Sequence, residues 1–242
     1  MAPLGLSALR NRLRRRPRPQ PWTAPEASWT RPFGLGWQKP YSVRYASNLD
    51  DGPWHGMPLG GFGAGCIGRS PRGDFNLWHL DGGEHWYGTI PDCQFAVWER
   101  NGDTCRAHAL ATAPDGDASL PDQDNPLSAW SWYPASTEEV ETGQYAARYP
   151  LSWSHYSGVF AAEITCEAFS PILPGDYQRT SYPLAVFRWQ LRNPTSEPLE
   201  LSLLLSWRNM VGWFTNTDAS AEVHFRDDGS PEHNYAPAIA SG

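Results

Sequence analysis

Ala185-Val186-Phe187-Arg188-Trp189-Gln190-Leu191-Arg192, then Asn193-Pro194-Thr195-Ser196-Glu197-Pro198, then Leu199-Glu200-Leu201-Ser202-Leu203-Leu204-Leu205-Ser206-Trp207, is the stretch that decides the fold class. In the second apolar run Leu199, Leu201, Leu203, Leu205 and Trp207 fall on one face, with Glu200, Ser202 and Ser206 opposite. In the first run Ala185, Phe187, Trp189 and Leu191 alternate with Arg188, Gln190 and Arg192. Period-two alternation over this length is the signature of a half-buried strand, because successive side chains of a strand point to opposite faces. The intervening Asn/Pro/Ser/Glu segment has turn composition, so the expectation is an antiparallel hairpin.

The same pattern recurs upstream. Ile164, Cys166 and Ala168 alternate with Glu163, Thr165 and Glu167, and Gln94 to Glu99 leads through Asn101-Gly102 into a partner at Thr104 to Leu110. Pro or Gly interrupts most windows long enough for a helix. Repeated short strands with Pro/Gly turns predict an all-β fold, a two-sheet antiparallel β-sandwich. The 242 residues, 40% hydrophobic, suffice for a core. The stretch from Ala113 to Asn125 reads as a surface loop.

Residues 1–38 read as a flexible Arg/Pro-rich arm, residues 39–225 as the sandwich, and residues 226–242 as a polar tail or the start of a linker. Six arginines, Arg10, Arg12, Arg14, Arg15, Arg16 and Arg18, precede the first acid, Glu26. With Leu4, Leu6, Leu9 and Leu13 they fit a short basic amphipathic segment making weak contact with an anionic membrane surface, a transit peptide, or a merely solvated arm. Trp22, Trp29, Phe33 and Trp37 predict that the later part of the arm docks on the body. The net charge of -7 disfavours nucleic acid as a partner of the body.

Cys66, Cys93, Cys105 and Cys166 form no C-x-x-C pair and read as buried, reduced thiols. The start lacks the unbroken apolar run of a secretory signal, so the expected location is cytoplasmic. His79, His85, His155, His224 and His233 lack metal-ligand spacing, and no cofactor is implied. Gly63-Ala64-Gly65-Cys66-Ile67-Gly68 satisfies G-x-G-x-x-G, but a nucleotide site needs a strand before it and a helix after it, and Ser70-Pro71-Arg72-Gly73 is unsuited to start a long helix.

Glycoside hydrolysis employs two carboxylates flanking the scissile bond. Asp74, Asp81, Glu84 and Asp92 follow the glycine-rich segment and could in principle supply such a pair, but the expectation is that none is catalytic. The thirteen Trp and ten Tyr are a large share. Trp78, Trp86 and Tyr87, then Trp130, Trp132 and Tyr133, then Trp153, His155 and Tyr156, read either as a stacking surface for sugar or lipid or as core filling.

Gly56-Met57-Pro58-Leu59-Gly60-Gly61-Phe62-Gly63-Ala64-Gly65-Cys66-Ile67-Gly68-Arg69 places six glycines among fourteen residues, which marks a backbone that must turn or approach closely. With Arg72-Gly73-Asp74-Phe75 and Trp78 it resembles the opening of glycoside hydrolase family 116, the non-lysosomal glucosylceramidases and related β-glucosidases. Asp92-Cys93-Gln94-Phe95, Ser170-Pro171-Ile172-Leu173-Pro174-Gly175-Asp176-Tyr177, Pro183-Leu184-Ala185-Val186-Phe187 and Ser206-Trp207-Arg208-Asn209-Met210-Val211-Gly212 continue the resemblance in order over about residues 40 to 215. The resemblance implies an N-terminal β-sandwich that packs on a following (α/α)6 barrel, with retaining β-glucosidase chemistry in that barrel. It transfers no catalytic residue to this sequence. The competing expectation is a stand-alone carbohydrate-binding or interaction module.

Overall fold

A computed structural model describes residues 21–35, 56–80, 86–114, 130–209, 213–214 and 224–225. Strands β1 (Trp29–Pro32), β9 (Gly143–Arg148), β10 (Leu151–Tyr156), β11 (Glu163–Phe169) and β12 (Val186–Arg192) make one five-stranded sheet in the order β1-β9-β10-β11-β12. Strands β6 (Gln94–Asn101), β7 (Thr104–Ala109), β8 (Ser131–Trp132) and β13 (Glu200–Ser206) make a second, in the order β13-β6-β7-β8. A third four-stranded sheet, β2 (Met57–Leu59), β3 (Cys66–Arg69), β4 (Phe75–His79) and β5 (Trp86–Tyr87), carries the glycine-rich motif. Strands β14 (Trp213–Phe214) and β15 (His224–Phe225) pair separately. All pairings are antiparallel except β7 with β8. The all-β, antiparallel expectation is met, with a third four-stranded sheet and the two-stranded β14-β15 pair among the described residues besides the two sheets of the sandwich.

The five-stranded sheet faces the β13-containing sheet through aromatic side chains. Phe95 of β6 lies 5.0 Å from Phe187 and 4.9 Å from Trp189 of β12, centroid to centroid, both edge-on. Tilted and edge-on pairs suit the ring quadrupole better than face-to-face stacks. The third sheet adds Phe75 and Trp78, both fully buried, to the same core. Trp78, Tyr133, Trp153 and Tyr156 are all buried, so the core-filling reading holds for these rings and the stacking-surface reading does not.

The strands read at 94–99, 104–110 and 163–169 form as Gln94–Asn101, Thr104–Ala109 and Glu163–Phe169, and Gly102 takes φ +60° in the β6–β7 turn. The hairpin across Asn193–Pro198 does not form. Strand β12 pairs with β11, from Glu163↔Arg192 to Phe169↔Val186, whereas β13 pairs with β6, from Glu200↔Arg100 to Ser206↔Gln94. The seven-residue connection, residues 193–199, crosses from one sheet to the other, a step of about 10 Å between packed sheets. Asn193 holds the crossing: its side chain accepts from Thr195 N–H at 2.9 Å and donates to Glu197 O at 2.7 Å. Alternation reports which side chains face the core, and both candidate partners satisfy it.

The sandwich also begins earlier than residue 39. Trp29–Pro32 is its edge strand on β9, where Pro32 ends the strand without a ladder donor being needed. Phe33 is fully buried among Tyr133 and Tyr156. Trp37 lies outside the described residues.

Trp22 stacks on His155 with centroids 4.7 Å apart and planes at 12°. Desolvation, aided by the Arg192 charge, pushes the His155 imidazole down to about 4, while Nδ1 sits 3.0 Å from Thr165 Oγ1. A folded-state pKa below the unfolded value of about 6.5 means the neutral ring's contribution is complete above that value and is lost as pH falls through 4. Discounted for the ring's residual solvent access, the effect is about 1–2 kcal/mol. Urea unfolding of wild type and His155→Phe at pH 7.5 and 4.5 checks this: the wild type should lose more stability on acidification, and equal losses would contradict it.

Two of the four cysteines, Cys66 and Cys105, depart from the buried part of the expectation. All four are free thiols, but Cys105 is exposed and Cys66 half-buried, while Cys93 and Cys166 are buried. Burial pushes both buried thiols up to about 11, which keeps them protonated and unreactive.

Candidate functional site

The glycine-rich motif forms β2, a tight loop over residues 60–65, and β3, and every part of it is pinned. Gly60 N–H donates to Ser170 Oγ at 2.6 Å, Phe62 N–H to Thr180 O at 3.0 Å, and Ala64 N–H to Gly61 O at 3.0 Å. The bed beneath the loop is residues 170–184, where a single helical turn α1 (Tyr177–Thr180) is capped by Asp176, whose side chain accepts from Arg179 N–H at 3.0 Å. Ser170 Oγ in turn donates to Leu184 O at 2.8 Å. Two motifs about 110 residues apart in sequence thus meet as one rigid unit.

Contact requires glycine at three positions of the loop, Gly60, Gly61 and Gly65. A Cβ on Gly61 would lie 2.3 Å from Ser181 O, and one on Gly65 would lie 2.4 Å from His79 O with φ at +82°. Gly63 differs: its φ is +72°, yet a Cβ there would meet nothing within 4 Å. Of the two roles expected of these glycines, turning and close approach, Gly63 shows only the first and Gly65 shows both.

The loop and the ends of β3 and β4 enclose an open pocket of about 550 Å³, walled by Gly61, Gly63, Ala64, Gly65, Cys66, His79 and Leu80. Phe62, between two of these glycines, is 61% exposed. On the supporting bed, where Thr180 O accepts the Phe62 N–H, Tyr177, Tyr182 and Leu184 are exposed. The segment after Gly65 is the strand Cys66–Arg69 rather than a helix, so the G-x-G-x-x-G spacing does not build a phosphate site here.

Arg69, at the end of β3, is buried in the core at 2% exposure. Its guanidinium donates to Ser154 Oγ at 3.0 Å, Leu110 O at 3.1 Å and the Tyr156 hydroxyl, and its Cζ lies 5.4 Å from the Phe95 centroid and 5.9 Å from that of Trp189. One side chain thus joins all three sheets. Beside it, the Tyr156 phenol is pushed up to about 12, chiefly by burial. A comparable tie runs from Glu99 of β6, 1% exposed, which accepts from Ala161 N–H at 2.9 Å and Ala162 N–H at 2.8 Å.

Of the four acids near the motif, Asp74 and Asp92 each engage separate partners. Asp74 is buried and accepts from the Ser70 and Thr89 hydroxyls, closing the Ser70–Asp74 turn. Asp92 lies 3.9 Å from Arg208 Nε. Asp81 and Glu84 lie outside the described residues. Neither Asp74 nor Asp92 lines the pocket. Sequence reasoning marked the glycines but missed Arg69, whose signal is its place two residues after Ile67 on the core face of β3.

Residues 56–242 match the family model described as beta-glucosidase 2, glycosyl-hydrolase family 116 N-term. The chain belongs to glycosyl-hydrolase family 116. The match begins at Gly56, where the glycine-rich motif begins, and takes in the third sheet, the bed at 170–184 and both faces of the family-116 sandwich, though not β1. This is the N-terminal domain of a glycoside hydrolase, as the ordered motifs imply.

Proposed function

We propose that this domain is the non-catalytic N-terminal part of a retaining β-glucosidase of the glucosylceramidase type, and that it supports an (α/α)6 catalytic barrel lying outside these 242 residues. The observation that carries the reading is a run of exposed apolar side chains at positions that strand geometry assigns to the core. Leu203 and Leu205 pair across β13–β6 with the buried Val97 and Phe95, and so share their face, yet they are 39% and 48% exposed. Leu191 of β12, opposite the fully buried Ile164, is 47% exposed. Apolar side chains grouped this way mark a surface that a further body of polypeptide covers. The retaining step requires a carboxyl pair about 5–5.5 Å apart, and that pair belongs to the barrel. On this reading the domain's role is to hold the barrel and complete its surroundings, in the cytoplasm, with the Arg-rich arm giving weak contact to anionic membrane.

Mixing this chain with a separately produced family-116 barrel and measuring complex formation by light scattering tests the support role. A one-to-one complex weakened by Leu205→Glu is expected. Absence of a complex with well-folded partners would overturn the reading.

A further inference from the structure

We propose that the outer edge of β13 is an interface between two copies of this chain, joined antiparallel about a twofold axis at Leu204. Among the described residues, the two main sheets end in the edge strands β1, β12, β13 and β8. A free edge offers unpaired peptide groups to other chains, and proteins guard such edges with short strands, proline or charge. Strand β8 has only two residues, β1 has four and ends on Pro32, and β12 carries Arg188 and Arg192. Strand β13 is charged only at its first residue, Glu200. From Leu201 to Trp207 the chain then holds no charge, proline or glycine.

The sequence of this edge complements itself. Directly opposed residues of an antiparallel pair share a face, so only every second register keeps the core face of both copies on one side. An axis at Leu204 sets Glu200 opposite Arg208, Ser202 opposite Ser206, Leu201 opposite Trp207 and Leu203 opposite Leu205. Charge meets opposite charge, hydroxyl meets hydroxyl and apolar meets apolar. An axis at Leu203 instead sets Glu200 against Ser206 and Ser202 against Leu204, which loses the first two matches. Arg208 stays in line with the strand, because its N–H donates to Cys93 Sγ at 3.4 Å beside the start of β6. Glu200 and Arg208 are both exposed, and each has an opposite charge in its own chain, Arg100 and Asp92 respectively, so pairing extends these contacts into an alternating network. A twofold contact of this kind closes at two copies. It uses the main-chain edge of β13 and leaves the leucine face to a barrel, so it does not depend on the support role.

Sedimentation velocity of the 242-residue chain should show a monomer–dimer equilibrium with Kd on the order of 10 μM, as suits an interface at the small end of the range. Glu200→Arg puts arginine opposite arginine on both sides of the axis and should weaken the dimer at least about tenfold, and adding Arg208→Glu should recover most of that loss. Both side chains are exposed, so melting curves should change little. The register is read separately in a Cys105→Ser background, since Cys105 is exposed. Opposed Cα atoms of an antiparallel pair lie about 4.5–5.5 Å apart, within disulfide reach. Ser202→Cys mixed with Ser206→Cys should therefore give a covalent dimer on mild oxidation, while either variant alone, its thiols about 13 Å apart along the strands, should not. A chain still monomeric at about 200 μM, where a dimer of the expected Kd would dominate, would overturn the proposal and leave the edge to a strand of another protein. A dimer indifferent to Glu200→Arg, no recovery by Arg208→Glu, or crosslinking by either cysteine variant alone would overturn it as well.

Discussion

Gly65→Val is expected to destabilise the domain by about 4 kcal/mol or more, enough to unfold a domain of ordinary stability. Two penalties combine. The residue holds φ +82°, where a β-branched side chain is strained by about 1–3 kcal/mol. Its Cβ would also lie 2.4 Å from the carbonyl oxygen of His79, a main-chain atom of the paired strand β4 that cannot swing aside. Gly63→Ala is the control. With similar φ but open space around its Cβ, it should cost about 1 kcal/mol. Chemical denaturation of the two variants separates contact from conformation, and equal costs would show that contact with His79 O does not matter.

Arg69→Leu should cost about 3–5 kcal/mol despite placing an apolar side chain in an aromatic core. Hydrogen bonds from a charged donor contribute roughly 1.5–3 kcal/mol each, and Arg69 makes three, to Ser154, Leu110 O and Tyr156. Their loss is offset only in part by the desolvation of a guanidinium in the folded state. Leucine is shorter and leaves the space between Phe95 and Trp189 underfilled. Because Arg69 of β3 reaches β10 through Ser154 and Tyr156 and the end of β7 through Leu110, the variant should also unfold in a broader, less cooperative transition. An increase in stability with an unchanged denaturant slope would refute the three-sheet tie.

Much of this architecture was legible because strand alternation is a local property. Glu163–Phe169 pairs on both sides as its alternating face predicts, and Asn101-Gly102 closes the hairpin between β6 and β7. What alternation lacks is partner choice. Phe187, Trp189, Leu199 and Leu201 all face one core, and nothing local says that they reach it from opposite sheets. The glycines were legible as a group, but their individual importance depends on atoms of His79 and Ser181 that the fold brings near. Arg69 reads as a surface charge until its strand's register puts it opposite Phe75, on the same side as Ile67. The pocket was not legible at all, since its wall is mostly backbone.

The exposed leucines of β12 and β13 connect fold to function. A strand pair that leaves Leu191, Leu203 and Leu205 uncovered would invite association with other chains if it stood open in the cell, so the surface argues for a permanent cover.

The central claim, that this chain is the supporting sandwich of a β-glucosidase whose carboxylates lie elsewhere, is tested most directly by hydrolysis of an aryl β-glucoside. The purified chain is assayed alone, then with a family-116 catalytic barrel. Turnover only in the mixture, or raised there above the barrel alone, is the predicted result. Turnover by the chain alone, abolished by changing Asp74 or Asp92, would contradict the claim and place the chemistry within the sandwich itself.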